Sequence, residues 1–400
     1  VDNVFILICA ALVLFMTPGL ALFYGGLVRN KNVLSTIMHS FIMIGLVSVL
    51  WAVVGYSLSF GTSIGGVIGG LDYLFLRGVE LDNGDALSPM TFMIFQCMFA
   101  VITPALISGA YAERIKFSGF MLFSGLWLLF VYAPMCHMVW GGGILGQMGA
   151  LDFAGGAVVH MSSGAAALAC AIMLGKRKGH GKDPFIPHNL PMTVLGAGIL
   201  WFGWFGFNAG SALAADTIAV NAFATTHLAT AAAALTWIAA EWLHSGKPTT
   251  LGAASGAVAG LVAITPAAGF VNVQAALIIG GAAGVICYGG IMLKNKLGYD
   301  DALDVVGIHG VGGTWGALAT GLFASGIVEF DGVPQLGLFY GNPGQLWIQF
   351  LSVIITWAFC FVASIVLFKV CDVLVGMRVS EADEAKGLDV SQHNEAGYQN

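Results

Sequence analysis

Eleven stretches of this chain are apolar for long enough to cross a lipid bilayer. A hydrocarbon core about 30 Å thick needs about 20 consecutive apolar residues of helix. Such runs fall near 4–28, 33–60, 90–112, 118–138, 156–175, 190–212, 218–243, 251–270, 273–293, 305–326 and 345–375. With no water to satisfy exposed backbone groups, runs of this length are predicted to be helices, so the fold class is an all-α integral membrane protein. Composition agrees. Apolar residues are 58% and charged residues 9% of the 400, where soluble domains carry about 45–50% and about 25%. The net charge of −6 reflects acids spread over loops and tail, which gives no basic face for nucleic acid. The seven cysteines stand singly, mostly inside apolar runs, and read as small buried hydrophobes.

Basic residues orient the bundle, because cytoplasmic loops are enriched in Lys and Arg. Loops after odd-numbered spans hold Arg29 and Lys31, Arg114 and Lys116, Lys176 to Lys182, Lys247, and Lys294 with Lys296; Lys369, Arg378 and Lys386 follow at the C-terminal end. Among the 15 basic residues only Arg77 lies on the other side. The reading is N-terminus out and C-terminus in, in the cytoplasmic membrane. Five spans then precede their own inverted copy. Repeat one covers about 1–176, repeat two about 185–326, an extra helix about 345–375, and a cytoplasmic tail 376–400. Inverted repeats are a common transporter plan, with the substrate path at their interface.

Ionisable groups at membrane depth are expensive and are functional candidates by default. Asp152, His160 and His309 stand out here, with His39, His137, His227 and Glu241 as lesser candidates. His160 and His309 each stand four residues before a glycine, Gly164 and Gly313, and each follows an acidic segment. That matched offset predicts that the two meet at the repeat interface. Counted along the helices they start on opposite faces, so they can meet only if 141–156 and 298–307 fold inward. No Ser-His-Asp order, phosphate-binding glycine loop or metal-ligand spacing is present, so neither an enzyme nor a cofactor or metal is expected. The 56 glycines read as close helix packing.

Several segments resemble the ammonium transporter (Amt/MEP/Rh) superfamily, the bacterial Amt branch fitting best. They are Thr17-Pro18-Gly19 through Gly25-Gly26, His137-Met138-Val139-Trp140-Gly141-Gly142-Gly143, Asp152-Phe153-Ala154-Gly155-Gly156 through His160, Gly203-Trp204-Phe205-Gly206-Phe207-Asn208-Ala209-Gly210-Ser211, Thr265-Pro266, and Asp304 through His309-Gly310. The likeness runs the length of the chain in the family's order. It implies a homotrimer with one pore through each subunit, whose substrate is ammonium or ammonia. It places Trp140, Phe99 and Ser211 at an outer recruitment site, and Phe99 and Phe207, with Phe95 nearby, at a gate. It makes His160 and His309 the pore pair and Asp152 a buried acid shaping the outer site, with Tyr24 and Thr265 in supporting roles. The tail resembles a regulatory segment that in relatives contacts PII-type signal proteins.

An aromatic face suits a small cation, a serine hydroxyl accepts one of its hydrogen bonds, and a dry pore favours the neutral species. The expectation is therefore recruitment of ammonium, loss of a proton, and passage of ammonia along the histidines. The rival expectation is a receptor that binds ammonium without transporting it.

Overall fold

A computed structural model describes residues 1–398. The helices are α1 (Asp2–Leu27), α2 (Asn30–Phe60), α3 (Pro89–Tyr111), α4 (117–139), α5 (Gly156–Leu174), α6 (Leu190–Gly210), α7 (Thr217–Ser245), α8 (Thr250–Ile264), α9 (Val273–Leu297), α10 (306–323) and α11 (Pro343–Val375). Among the described residues nine of these segments are long and apolar enough to cross a membrane. Two expected spans come out shorter. The run near 251–270 is helical only to Ile264, after which 265–270 form turns. Pro266, which has no N–H to donate and restricts the residue before it, falls at that break. The run near 305–326 stops at Phe323, where the chain turns into the hairpin Ser325–Phe330 with Val333–Leu336.

Helices approach closely at several of the glycines. A Cβ on Gly196 of α6 would overlap the backbone nitrogen of Phe23 in α1, so these two helices lie backbone against backbone. All seven cysteines are free and buried, as expected.

Two segments leave regular helix inside the protein. Between α4 and α5 the chain makes a turn at 140–143, a single helical turn at Ile144–Gln147, and an extended stretch to Gly155, whose φ is 112°. Glutamines of α11 satisfy its backbone: Gln345 Nε2 donates to Gly149 O at 2.9 Å, and Gln349 Nε2 donates to Leu151 O at 2.8 Å. Leu151 N donates back to Gln349 Oε1 at 2.7 Å. Non-helical backbone at such depth needs this kind of partner.

Both α5 and α10 open with a π turn, at Gly156–Met161 and Val306–Gly310. Each is preceded by a buried carboxylate eight residues before its histidine. Asp152 accepts hydrogen bonds from Gly155, Gly156, Ala157 and Val158 N at 2.6–3.2 Å. Asp301 Oδ2 accepts from Val306 N at 2.8 Å. A carboxylate here satisfies orphan donors and complements the positive end of the helix dipole.

The basic end of the bundle is tied by ions. Glu113 Oε1 takes Arg29 Nε at 2.9 Å and Asn32 Nδ2 at 2.8 Å, while Oε2 takes Arg177 Nη1 at 2.8 Å. Arg177 also pairs with Asp300 at 2.8 Å. Burial alone would raise the Glu113 carboxyl, but Arg29 and Arg177 hold it at about 2. The tail packs against this end through two short helices, α12 (Glu381–Lys386) and α13 (Leu388–His393). Asp389 accepts from Ser35 N at 2.8 Å and Leu34 N at 3.1 Å, capping the first turn of the α-helical part of α2. Arg378 Nη2 meets Glu384 Oε2 at 2.9 Å. The expected tail ran to residue 400, and its last two residues lie outside those described.

Candidate functional site

The site is a column of side chains between a vestibule at the end opposite the ionic network and a slot at mid-protein. The vestibule is a cavity of about 490 Å³ lined by Trp140, Asp152, Ser211, Phe92, Gln96 and Glu329, among others. Trp140 stands where α4 breaks, and its Nε1 donates to Asp152 O at 2.9 Å. Ser211 closes α6; its Oγ donates to Phe207 O at 2.8 Å, which leaves the hydroxyl oxygen free to accept. The Asp152 carboxylate faces its four backbone amides, so it fixes the wall of the cavity by holding the start of α5.

Below the vestibule the rings of Phe99 and Phe207 pack together, with centroids 4.2 Å apart and planes 39° apart. Phe95 packs edge-on against Phe99 at 4.9 Å, and Phe99 stands edge-on to Trp140 at 6.1 Å. Phe99 and Phe207 are both buried.

Beneath this phenylalanine pair lies an apolar slot of about 10 Å³ bounded by His160, His309, Trp204, Phe207, Leu20 and Val258, among others. That is about the space of one water-sized molecule. The Nδ1 atoms of His160 and His309 are 3.1 Å apart, with the rings 20° from parallel. A hydrogen bond between two like nitrogens requires one to carry the proton and the other to be bare. The two imidazoles are therefore opposite tautomers when neutral, and their Nε2 atoms are one donor and one acceptor. His160 Nε2 has no partner among the described residues.

The approach of α5 and α10 makes this contact possible. A Cβ on Gly164 would overlap the backbone of Gly310, and one on Gly313 would meet His160 Cβ at 3.1 Å. The inward fold of both preceding segments supplies the rest: Leu151, Ala154 and Val305 are buried.

A model of the Ammonium Transporter Family matches residues 4–398. The chain belongs to the ammonium transporter family. It is 53% identical over 402 residues to "Ammonium transporter" of Bacillus subtilis (strain 168), covering 100% of this chain and 98% of that one. It is 49% identical to "Ammonium transporter Amt1" of Archaeoglobus fulgidus, over 98% of each chain. Among solved structures it resembles Mep2 of Candida albicans with a TM-score of 0.90 at 37% identity, covering 95% of this chain and 86% of that one. A structure named "Sensor Amt Protein" matches with a TM-score of 0.90 at 29% identity, over 98% of both chains.

Within this family member, the residues singled out from sequence divide in two. Trp140, Phe99, Phe95, Phe207, Ser211, His160 and His309 form the column, with Asp152 in its wall. Thr265 stands one layer behind: its Oγ1 accepts from Trp204 Nε1 at 2.9 Å and donates to Leu261 O at 2.8 Å. Tyr24 caps the end of α3, its hydroxyl donating to Leu106 O at 3.0 Å. The lesser candidates lie elsewhere. His137 is held by Ser59 O and Ser63 Oγ, His227 is exposed beside Trp201, Glu241 fixes Thr249 at the start of α8, and His39 is buried against Phe117 and Phe120.

Sequence reasoning missed Trp204 and Asp301. The Trp204 indole lies 5.3 Å from the His160 ring and within 16° of parallel. Its place three residues before Phe207 on one helix, a one-turn spacing, was a usable signal. Asp301 was marked by the same eight-residue offset as Asp152.

Proposed function

We propose that this chain carries ammonium nitrogen across the cytoplasmic membrane as an ammonium transporter, recruiting the cation outside and conducting ammonia inward. Family membership supports the substrate, and the 3.1 Å contact of His160 with His309 beneath a closed aromatic gate carries the mechanism. The distribution of Lys and Arg supports an outside vestibule and a cytoplasmic ionic network. The arrangement is read as eleven spans in an inverted 5+5 repeat plus one, assembled as a homotrimer.

Ammonium entering the vestibule meets the faces of Trp140 and Phe99, and an aromatic face stabilises a desolvated cation by about 0.5–2 kcal/mol. The Ser211 hydroxyl accepts one of its protons in a hydrogen bond. Past Phe99 and Phe207 the walls are apolar, and an unpaired ion there would lose its hydration without compensation. The proton therefore passes to solvent water in the vestibule, and ammonia proceeds as a neutral molecule. In the slot the bare and protonated Nε2 atoms of the pair offer ammonia one acceptor and one donor, which replaces its water contacts in turn. The tail docked on the basic end serves regulation, its exposed face being where a PII-type signal protein would bind.

The test is the interior pH of dye-loaded proteoliposomes given an ammonium pulse. Wild type should turn alkaline, Trp140→Ala should half-saturate at a higher ammonium concentration, and His160→Ala/His309→Ala should fall back to the bilayer leak. Binding without ammonia flux would replace this reading with the receptor one that the similarity to "Sensor Amt Protein" makes specific.

A further inference from the structure

Gln96 is a buried polar side chain whose amide oxygen finds no partner among the described residues. It is only 7% exposed, and its Oε1 is enclosed without a hydrogen bond there. An unsatisfied buried amide costs about 1–3 kcal/mol, so a structural role would leave Gln96 worse than leucine. Its position explains it differently. Phe92, Gln96 and Phe99 follow one another at four and three residues along α3, which puts them on one face. Gln96 lines the same cavity as Trp140 and Ser211, one turn above the gate ring of Phe99.

We propose that Gln96 is a substrate-positioning residue whose amide oxygen accepts a hydrogen bond from ammonium in the vestibule, beside Ser211. Turning the amide about its last torsion brings the carbonyl oxygen toward the cavity, and no protein hydrogen bond opposes that turn. Ammonium carries four N–H donors in tetrahedral directions. Trp140 and Phe99 offer it π-faces and Ser211 one lone pair, so a further directional acceptor completes a half-dry shell. Glu329, on the rim of the same cavity, is exposed and acts only through its field. Such a field is screened by salt, whereas a direct hydrogen bond is not.

The proposal rests on the transport reading, so wild type must first show saturable ammonia flux in response to ammonium. Gln96→Leu keeps the size and removes the acceptor. Its half-saturating ammonium concentration should rise about tenfold, the loss of one charge-assisted hydrogen bond, with maximal flux within about twofold. The shift should persist from low to high salt. Gln96→Glu keeps an acceptor and should restore half-saturation to the wild-type value or below. A Gln96→Leu protein that folds, judged by its melting temperature, and saturates like wild type would overturn the proposal. If Gln96→Leu does not fold, Gln96→Glu decides alone, and a tenfold weaker half-saturation there overturns it too. Absence of ammonia flux in wild type would instead sink the transport reading itself.

Discussion

Trp204 and His160 lie face to face, 5.3 Å apart and 16° from parallel, and the indole N–H is fixed by Thr265 at 2.9 Å. The His160 ring thus lies between the imidazole of His309 and an indole held by a hydrogen bond to Thr265.

Thr265→Val removes the acceptor while keeping the shape. It should lower stability by about 1–3 kcal/mol, because the Trp204 N–H is left buried and unpaired. Trp204→Phe in the same chain removes the orphan donor, so the double variant should recover part of the loss. Thermal melts of the three proteins in detergent check this non-additivity.

Asp152 and Asp301 stand at equal offsets but carry unequal loads. Four amides converge on Asp152, whereas Asp301 Oδ2 holds Val306 N and its Oδ1 has no partner among the described residues. Asp152→Ala should therefore abolish most folded protein in a size-exclusion assay. Asp301→Ala should be recovered at higher yield and melt above it. Equal losses would contradict the asymmetry.

Gly164 has no room for a methyl group because Gly310 passes against it, while Gly45 faces open space. Gly164→Ala should force α5 and α10 apart, separate the histidines and reduce transport at least about tenfold, since small misplacements in a site are costly. Gly45→Ala should be neutral. Flux assays on the pair of variants give the comparison directly.

The Glu113 network predicts a pH dependence with a definite sign. The folded carboxyl is held at about 2 by Arg29 and Arg177 against an ordinary 4.5. A depressed folded value means that the contribution is complete above about pH 4.5 and is lost as pH falls toward 2. Melting temperature should drop through that window in wild type. Glu113→Gln should be less stable at neutral pH and lose less on acidification.

Much of the architecture was legible because lipid imposes one rule on every span. Apolar runs of the right length became helices, and the matched placement of His160 and His309 foretold their contact. What sequence could not supply was the course of 140–156, which depends on Gln345 and Gln349 arriving from almost two hundred residues away. The early end of α8 was written in Pro266, but hydropathy alone ran past it. Trp204 was harder to see for a different reason: among ten tryptophans its one-turn spacing from Phe207 was a local mark, but the histidine it stacks on comes from another helix. The docking of Asp389 on the start of α2 was equally invisible, since an acid in a charged tail reads as a solvated one.

The central claim is that ammonia passes the histidine pair. The direct measurement is interior pH in dye-loaded proteoliposomes given an ammonium pulse, comparing wild type with His160→Leu/His309→Leu. Ammonia that enters takes up a proton, so wild-type vesicles should turn alkaline faster than protein-free ones, and the double variant should fall back to the bilayer leak. A correctly folded double variant that alkalinises its vesicles at the wild-type rate would contradict the account.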